Sequence, residues 1–232
     1  EIILTIHRAA NTLLNIVNDI LDLSKIEAKQ MMLECINFDL RDTVKQLVQT
    51  MLPIASKKGL TLSYTIENEE VLPIVKGDPL RVGRIFTNLV SNAIKYSDKG
   101  CVDIHLSFEK MRKDVVLIKC DVSDTGIGIP KEKQITIFEK FIQADVSTTR
   151  KYGGTGLGLS ITKELVEMMN GEINLESEVN KGSKFSVSIP FRISETPTIQ
   201  DAIQEKNLNQ VSTQKEKPYI SDISILVAED HE

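Results

Sequence analysis

Two glycine-rich segments constrain this chain more than any other part of its sequence. The first, Ser123-Asp-Thr-Gly-Ile-Gly-Ile-Pro130, places a carboxylate, Asp124, just ahead of two glycines spaced by one residue, Gly126 and Gly128. The second, Gly153-Gly-Thr-Gly-Leu-Gly-Leu159, runs straight into a helical pattern. A carboxylate can accept a hydrogen bond from an exocyclic amine such as that of adenine. A glycine-rich loop that opens a helix offers backbone N–H groups and the positive end of a dipole to phosphate. One Gly-x-Gly alone says little. Two such loops with these flanks predict a nucleotide site with a base end and a phosphate end.

Composition permits this. A chain of 232 residues with 41% hydrophobic content can build a full domain core. A net charge of −5 argues against a nucleic-acid binder, which usually carries a basic surface. No stretch reaches the apolar length of a membrane span, and no signal-peptide pattern is present. The chain starts inside a helical pattern and stops inside a strand pattern, which reads as a fragment. Cys35, Cys101 and Cys120 show no Cys-x-x-Cys spacing and read as reduced thiols, the last two within strands.

Residues 1–30 carry a heptad, with Ile2, Ile6, Ala9, Leu13, Ile16, Ile20 and Leu23 in steps of four and three. That is the seam of a coiled coil or four-helix bundle. Leu14, Val17 and Leu21 widen the stripe, so the helix calls for a partner helix and a second subunit. Asn37-Phe38-Asp39 breaks the pattern and caps a helix over 40–57. Alternating apolar residues predict strands over 60–67, 102–108 and 114–123, the last delivering Asp124 at its end. Asp78-Pro79 opens a long helix that runs to Tyr96. The connection over 130–153 is charged and irregular, with a short helix around 131–139. A connection of that length inside a domain is usually functional. A helix over 156–169 follows, then a hairpin of strands 171–178 and 183–191 around Asn180-Lys181-Gly182. Residues 193–222 are polar and read as a linker, and 223–232 as a short strand ending in Glu229-Asp230.

The 78–96 helix carries Asn88 and Asn92 four residues apart on one face, with Lys95 following on the same side. Each asparagine offers a carbonyl oxygen to a metal and an amide to a phosphate oxygen. Mg²⁺ takes few protein ligands and fills the rest from phosphate and water, which an Asn pair suits. The alternative is a pair of surface or capping asparagines, but asparagine is a poor helix former and this run is otherwise apolar. Asp124 alone could equally be a turn aspartate. Arg150 and Lys151, just before the second loop, read as phosphate neutralisers or as a solvated basic pair. No Gly-x-x-x-x-Gly-Lys-Ser/Thr segment, His-Glu-x-x-His, Gly-x-Ser-x-Gly or metal-spaced Cys/His set is present. His105 receives no role, and His7 reads as a solvent-facing residue beside the seam.

Four segments, in order and spacing, resemble the boxes of the sensor histidine kinases. Asn88-Leu-Val-Ser-Asn92-Ala-Ile-Lys95-Tyr96 resembles the N box and Asp124-Thr-Gly-Ile-Gly-Ile-Pro130 the G1 box. Phe138-Glu-Lys-Phe141 resembles the F box and Gly154-Thr-Gly-Leu-Gly158 the G2 box. The run from Asn11 to Glu27 resembles the second helix of the family's dimerisation and histidine-phosphotransfer domain, and Ile223 to Asp230 the first strand and acidic pair of a receiver domain. The resemblance implies an α/β (α+β) two-layer sandwich, a mixed sheet of about five strands packed on helices. This is the Bergerat-type fold shared with Hsp90-type chaperones and MutL-type repair ATPases, here preceded by a helix of a dimeric four-helix bundle. It divides the chain into a bundle helix (1–33), a catalytic ATP-binding domain (34–192), a linker (193–222) and the start of a receiver (223–232).

By position, the resemblance makes Asn92 and Asn88 the residues that hold Mg²⁺ on the ATP triphosphate, and Asn88, Asn92 and Lys95 the catalytic set. Lys95 and Tyr96 line the phosphate and ribose side. Asp124 reads the adenine amine, with Gly126, Gly128 and Ile129 beside it, and Ser183 adds a polar contact there. Residues 131–153 form a lid. Arg150, Lys151, Gly154, Thr155, Gly156, Leu157 and Gly158 surround the phosphates. The implied reaction is transfer of the ATP γ-phosphoryl group to a histidine, then onward to a receiver aspartate, in a homodimeric hybrid kinase. The chain is its cytoplasmic portion, and many such parents are inner-membrane sensors.

Some residues depart from the family. Its acceptor motif, His-Glu-x-Arg-Thr-Pro, is absent, and His7 is followed by Arg-Ala-Ala-Asn, so the chain is expected to bind ATP without phosphorylating itself. Lys140 stands where proline is common and Ile142 where a small polar residue is common. The rivals on this fold are a chaperone- or repair-type ATPase, which places a carboxylate at the position of Asn88, and an anti-sigma-type kinase, which lacks the bundle helix. A non-catalytic dimerisation or regulatory module is the third, and intact boxes speak against it.

Overall fold

The computed structural model describes residues 2–142 and 156–194. Helix α1 (Ile2–Glu27) begins the chain. Its apolar stripe has two fates. Leu23 and Ile26, near its end, are buried with Met31 in the main core. Upstream, Ile6 and Leu13 are each 62% exposed and Ile20 45%, so the heptad seam is uncovered.

The sheet holds β1 (Ile36–Phe38), β2 (Leu60–Ile66), β3 (Val75–Gly77), β4 (Gly100–Arg112), β5 (Val115–Asp124), β6 (Glu172–Glu178) and β7 (Gly182–Ile193). Its order is β1-β3-β7-β5-β4-β2, and β6 pairs with the first part of β7. Strand β2 runs parallel to β4, while the other pairs are antiparallel, so the sheet is mixed. Helices α2 (Leu40–Lys57), α3 (Pro79–Tyr96) and α5 (Gly158–Met168) cover one face, and the short α4 (Lys131–Gln134) follows β5.

This is the expected two-layer sandwich, but with seven strands rather than about five. The two additions, β1 and β3, are three residues each, too short to show a period of two. They form because Val75 and Lys76 find Ile193 and Arg192 at the end of β7, and Ile36 then pairs opposite Gly77. Asn37-Phe38-Asp39 is therefore the end of a strand as well as a cap. Asp39 accepts from the Arg41 backbone N–H, as a helix N-cap does.

Alternation along the long strands decides the layers. Val102, Ile104 and Leu106 on β4, Val116, Ile118, Cys120 and Val122 on β5, and Phe185, Val187, Ile189 and Phe191 on β7 are all buried. They meet Val44 and Leu47 of α2, Phe86, Leu89 and Val90 of α3, and Ile161 and Leu165 of α5 in one core. The opposite face is polar, with Lys184 on β7 paired to Asp121 on β5 at 2.7 Å. That one-sided pattern is what an antiparallel sheet open to water on one face requires. Helix α2 runs through Pro53 without ending there. Among the described residues, no helix is long and apolar enough to cross a membrane.

Candidate nucleotide site

Helix α3 is the ruler of the site. Asp78 caps it, accepting from the Arg81 N–H at 3.0 Å, and Pro79 occupies its first turn. Asp78 is only 3% exposed, and its other oxygen takes the Glu34 N–H at 3.1 Å, which ties the segment after α1 to the start of α3. At the far end, Lys58 donates to the carbonyl oxygens of Ile94 (2.8 Å) and Lys95 (2.6 Å). A cation on the last carbonyls satisfies groups that the helix leaves open and complements its dipole.

The apolar side of α3 (Ile85, Phe86, Leu89, Val90, Ala93, Ile94) is buried, which leaves Asn88, Asn92 and Tyr96 half-buried on successive turns. These three mark about 12 Å along the axis at ~1.5 Å per residue. At the first mark, Asn88 donates from Nδ2 to Thr162 Oγ1 of α5 at 2.8 Å. Asn92 Nδ2 lies 3.4 Å from Asn88 Oδ1. At the last mark, the Tyr96 carbonyl accepts from the Ile127 N–H at 3.2 Å, joining α3 to the loop after β5. Lys95 Nζ lies 4.7 Å from the centre of the Tyr96 ring.

Asp124 ends β5 opposite Ser183 of β7, and both are interior to the sheet. Its Oδ1 takes the Gly126 N–H at 2.8 Å. Burial pushes its carboxyl above the ordinary value, against the backbone hydrogen bonds of Gly126 and Ser183, which pull it down. The loop that follows is fastened from two sides. Ser177 Oγ accepts from the Ile129 N–H at 2.8 Å and lies 2.9 Å from Ser183 Oγ. Gln134 of α4 donates to the carbonyls of Ile129 and Ser177, each at 2.9 Å.

At Gly126 and Gly128 the protein's own backbone comes close. A Cβ at Gly126 would lie 2.5 Å from the Tyr96 carbonyl. At Gly128, with φ of +66°, a Cβ would lie 2.0 Å from the Glu178 carbonyl. At Gly158 it would lie 2.4 Å from Asn88 Oδ1. These glycines let the two loops close on α3 and on the β6–β7 hairpin. Leu157, just before α5, is buried, and Gly156 lies beside the backbone of Phe141. Arg150, Lys151, Gly154 and Thr155 lie outside the described residues.

Of the predicted residues, Asn88 meets Gly158 at one end, with Gly156 and Leu157 just before α5, and Asn92, Lys95 and Tyr96 follow along α3. Asp124, Gly126, Gly128, Ile129 and Ser183 gather at the other. Sequence reasoning missed Thr162, Ser177 and Gln134. Thr162 left a signal, a polar residue four positions after Gly158 on the buried side of α5, between Ile161 and Leu165. Among the described residues, no group of three or more His, Cys, Asp or Glu could hold a metal ion. Amide oxygens such as those of Asn88 and Asn92 suit a partial donor set for Mg²⁺, since that ion keeps most of its ligands as water and phosphate. A cleft of about 410 Å³ opens elsewhere, near Phe38, Asp42 and Pro79, and shares no residue with this site.

A mixed sheet covered on one face thus carries a site with two ends: a carboxylate at a strand end, and a helix whose amides face a glycine-opened helix. The chain belongs to the histidine kinase-, DNA gyrase B- and HSP90-like ATPase family, whose model matches residues 77–193. It is 45% identical over 201 residues to the signal transduction histidine-protein kinase BarA of Shigella flexneri, across 84% of this chain and 22% of that protein. It is 39% identical over 225 residues to the hybrid signal transduction histidine kinase A of Dictyostelium discoideum, across 94% of this chain and 10% of that one. The chain thus spans about a fifth or less of these relatives. The crystal structure of full-length ShkA in complex with AMPPNP matches it with a TM-score of 0.69 at 27% identity, over 82% of this chain and 38% of that one. The kinship with sensor histidine kinases that the four boxes implied is borne out.

Proposed function

We propose that this chain is the ATP-binding catalytic part of a hybrid sensor histidine kinase. Its site presents the γ-phosphoryl group of ATP to a histidine on a helix of the dimerisation bundle. The phosphorus–oxygen bond to the β-phosphate breaks, a phosphorus–nitrogen bond forms, and ADP leaves. The phosphoryl group then moves to a receiver aspartate. The observation that carries this reading is the two-ended site on α3, with Asp124 at the base end and the Asn88–Asn92 pair against the start of α5 at the other.

In this reading Asp124 accepts the adenine amine, and Ser183 borders the base. The Ile127–Ile129 loop, fastened by Ser177 and Gln134, holds that end still. Asn92 turns an amide oxygen toward the metal on the triphosphate, with Asn88 behind it. Lys95 adds positive charge on the phosphate side, and Arg150, Lys151, Gly154 and Thr155 close over it. When bound, Mg²⁺ supplies charge neutralisation on the phosphates. Positioning and charge neutralisation provide most of the rate in such transfers. The uncovered stripe of α1, including Ile6 and Leu13, supports a homodimer through a helical bundle. The site draws on ATP, so the chain is placed on the cytoplasmic side of its parent.

The test is phosphoryl transfer in trans. The chain is mixed with labelled ATP, Mg²⁺ and a separate piece carrying the upstream helix with its histidine. Acid-labile, base-stable label on that piece, lost with Asn92→Ala, is the expected result. Steady phosphate release without transfer would move the reading to an ATPase. Absence of both, with no nucleotide binding, would leave a regulatory module.

A further inference from the structure

Asn88 and Asn92 each end in a carboxamide, whose two tips are chemically opposite. One is an acceptor that can face a cation, the other a donor that repels it. A metal-facing role requires that the side chain be held in place, and α3 alone offers no partner outside the pair itself.

Helix α5 fixes where the Asn88 amide sits. Thr162 is 2% exposed, inside the packed side of that helix. Its hydroxyl accepts from Asn88 Nδ2 at 2.8 Å. This leaves Asn88 Oδ1 on the other side, where Asn92 Nδ2 approaches to 3.4 Å. With its nitrogen turned toward Asn88, Asn92 has its oxygen on the far side, and among the described residues that oxygen accepts no hydrogen bond. Gly158, one turn before Thr162, leaves a gap that Asn88 Oδ1 fills, since a Cβ there would lie 2.4 Å away. Two residues of α5 thus hold Asn88 from two sides.

We infer that Thr162 is a positioning residue for the metal: it holds Asn88 against α5, and Asn88 in turn holds Asn92 where its amide can face the cation on the nucleotide. This inference rests on the proposed ATP–Mg²⁺ reading of the site. It also gives α5 a second task besides offering its N-terminus, for the same helix that meets the phosphates holds, through Asn88, the side chain that meets their metal.

The test is calorimetric titration of the whole chain with a non-hydrolysable ATP analogue, at graded Mg²⁺ and in chelator, alongside thermal melting without ligand. Thr162→Val keeps the shape and removes the acceptor. It is expected to melt near the parent, to bind about tenfold more weakly at saturating Mg²⁺, and to match the parent in chelator. That tenfold corresponds to about 1.4 kcal/mol, the size of one hydrogen bond. Thr162→Ser should restore binding to within about twofold. Should the valine chain fail to fold, Asn88→Asp and Asn88→Leu provide the comparison. The aspartate still accepts from Asn92 and from the threonine hydroxyl and should keep the Mg²⁺ dependence, whereas leucine should lose it. Equal loss with and without Mg²⁺ in Thr162→Val, or equal loss in the two Asn88 variants, would overturn the inference. So would unchanged binding by Thr162→Val while Asn92→Ala loses its Mg²⁺-dependent part. If Asn92→Ala itself keeps that part, the metal reading of the site fails, and this inference with it.

Discussion

Arg84 of α3 places Nη2 2.7 Å from Asp19 Oδ1 of α1, across 65 residues of sequence. Its Nη1 pairs with Asp22, which Arg81 also reaches at 3.5 Å. Lys140, in the segment after α4, meets Glu27 at the end of α1 at 2.5 Å. Helix α1 is thus held to α3 and the segment after α4 by charge as well as by Leu23 and Ile26. The departure from proline at position 140 becomes part of that hold.

A double-mutant cycle on Asp19→Ala and Arg84→Ala measures the first pair. Both side chains are about three-quarters buried, so coupling on the order of 1 kcal/mol is expected from chemical denaturation. It should shrink as salt rises toward about 1 M, where screening acts within a few ångströms. The Glu27–Lys140 pair is more exposed and should couple less. A coupling indistinguishable from zero at low salt would show that this pair adds nothing to the hold on α1.

Asp124→Asn separates stability from binding. Burial raises this carboxyl, so the folded chain holds its proton more tightly than the unfolded one. Native stability is therefore lost as pH climbs from the ordinary carboxylate value through the raised one, and the loss is complete above it. The amide variant escapes that loss. It should melt higher than the parent near pH 7, and the gap should close below about pH 4. Its affinity for an ATP analogue should fall about tenfold, because the charged acceptor is gone. Thermal melts across pH, with one titration, decide. A variant that melts lower at pH 7 and binds as well as the parent refutes both halves.

Gly158→Ala tests the contact between α5 and Asn88. Alanine favours a helix over glycine by about 1 kcal/mol. Its Cβ would lie 2.4 Å from Asn88 Oδ1, and that side chain must swing away. Stability is expected to change by less than about 1 kcal/mol while analogue affinity falls at least about tenfold. Intact affinity would mean that the placement of Asn88 is immaterial to the ligand.

Thiol labelling reads the core directly. Cys35 and Cys101 are exposed, whereas Cys120 is buried and burial pushes its thiol far up. The thiolate is the reacting species, so two equivalents of maleimide should add quickly to the native chain and a third only in denaturant. Three equivalents at one native rate would place Cys120 outside the core.

Much of the site was legible before any fold was known. Asp78-Pro79 marks the start of α3 through cap and ring geometry, both local effects. Alternation along β5 carries Asp124 to a strand end, again a property of neighbours in sequence. The neighbours of the glycines were not legible: the space beside Gly126 and Gly128 is bounded by the carbonyls of Tyr96 and Glu178. A vacancy is visible in a sequence, but what fills it comes from a distant segment.

Local chemistry thus determined the long elements, the order of the boxes and the family, because periods, caps and glycine loops depend on residues a few positions apart. The fold decided everything that needs two remote segments to meet. Strands β1 and β3 exist only where β7 offers an edge. The stripe of α1 divides into a buried end and an uncovered seam where α3 and α5 stop covering it. Thr162 gains a role only when α5 lies across Asn88, because a hydrogen bond depends on distance in space and the sequence records only distance along the chain.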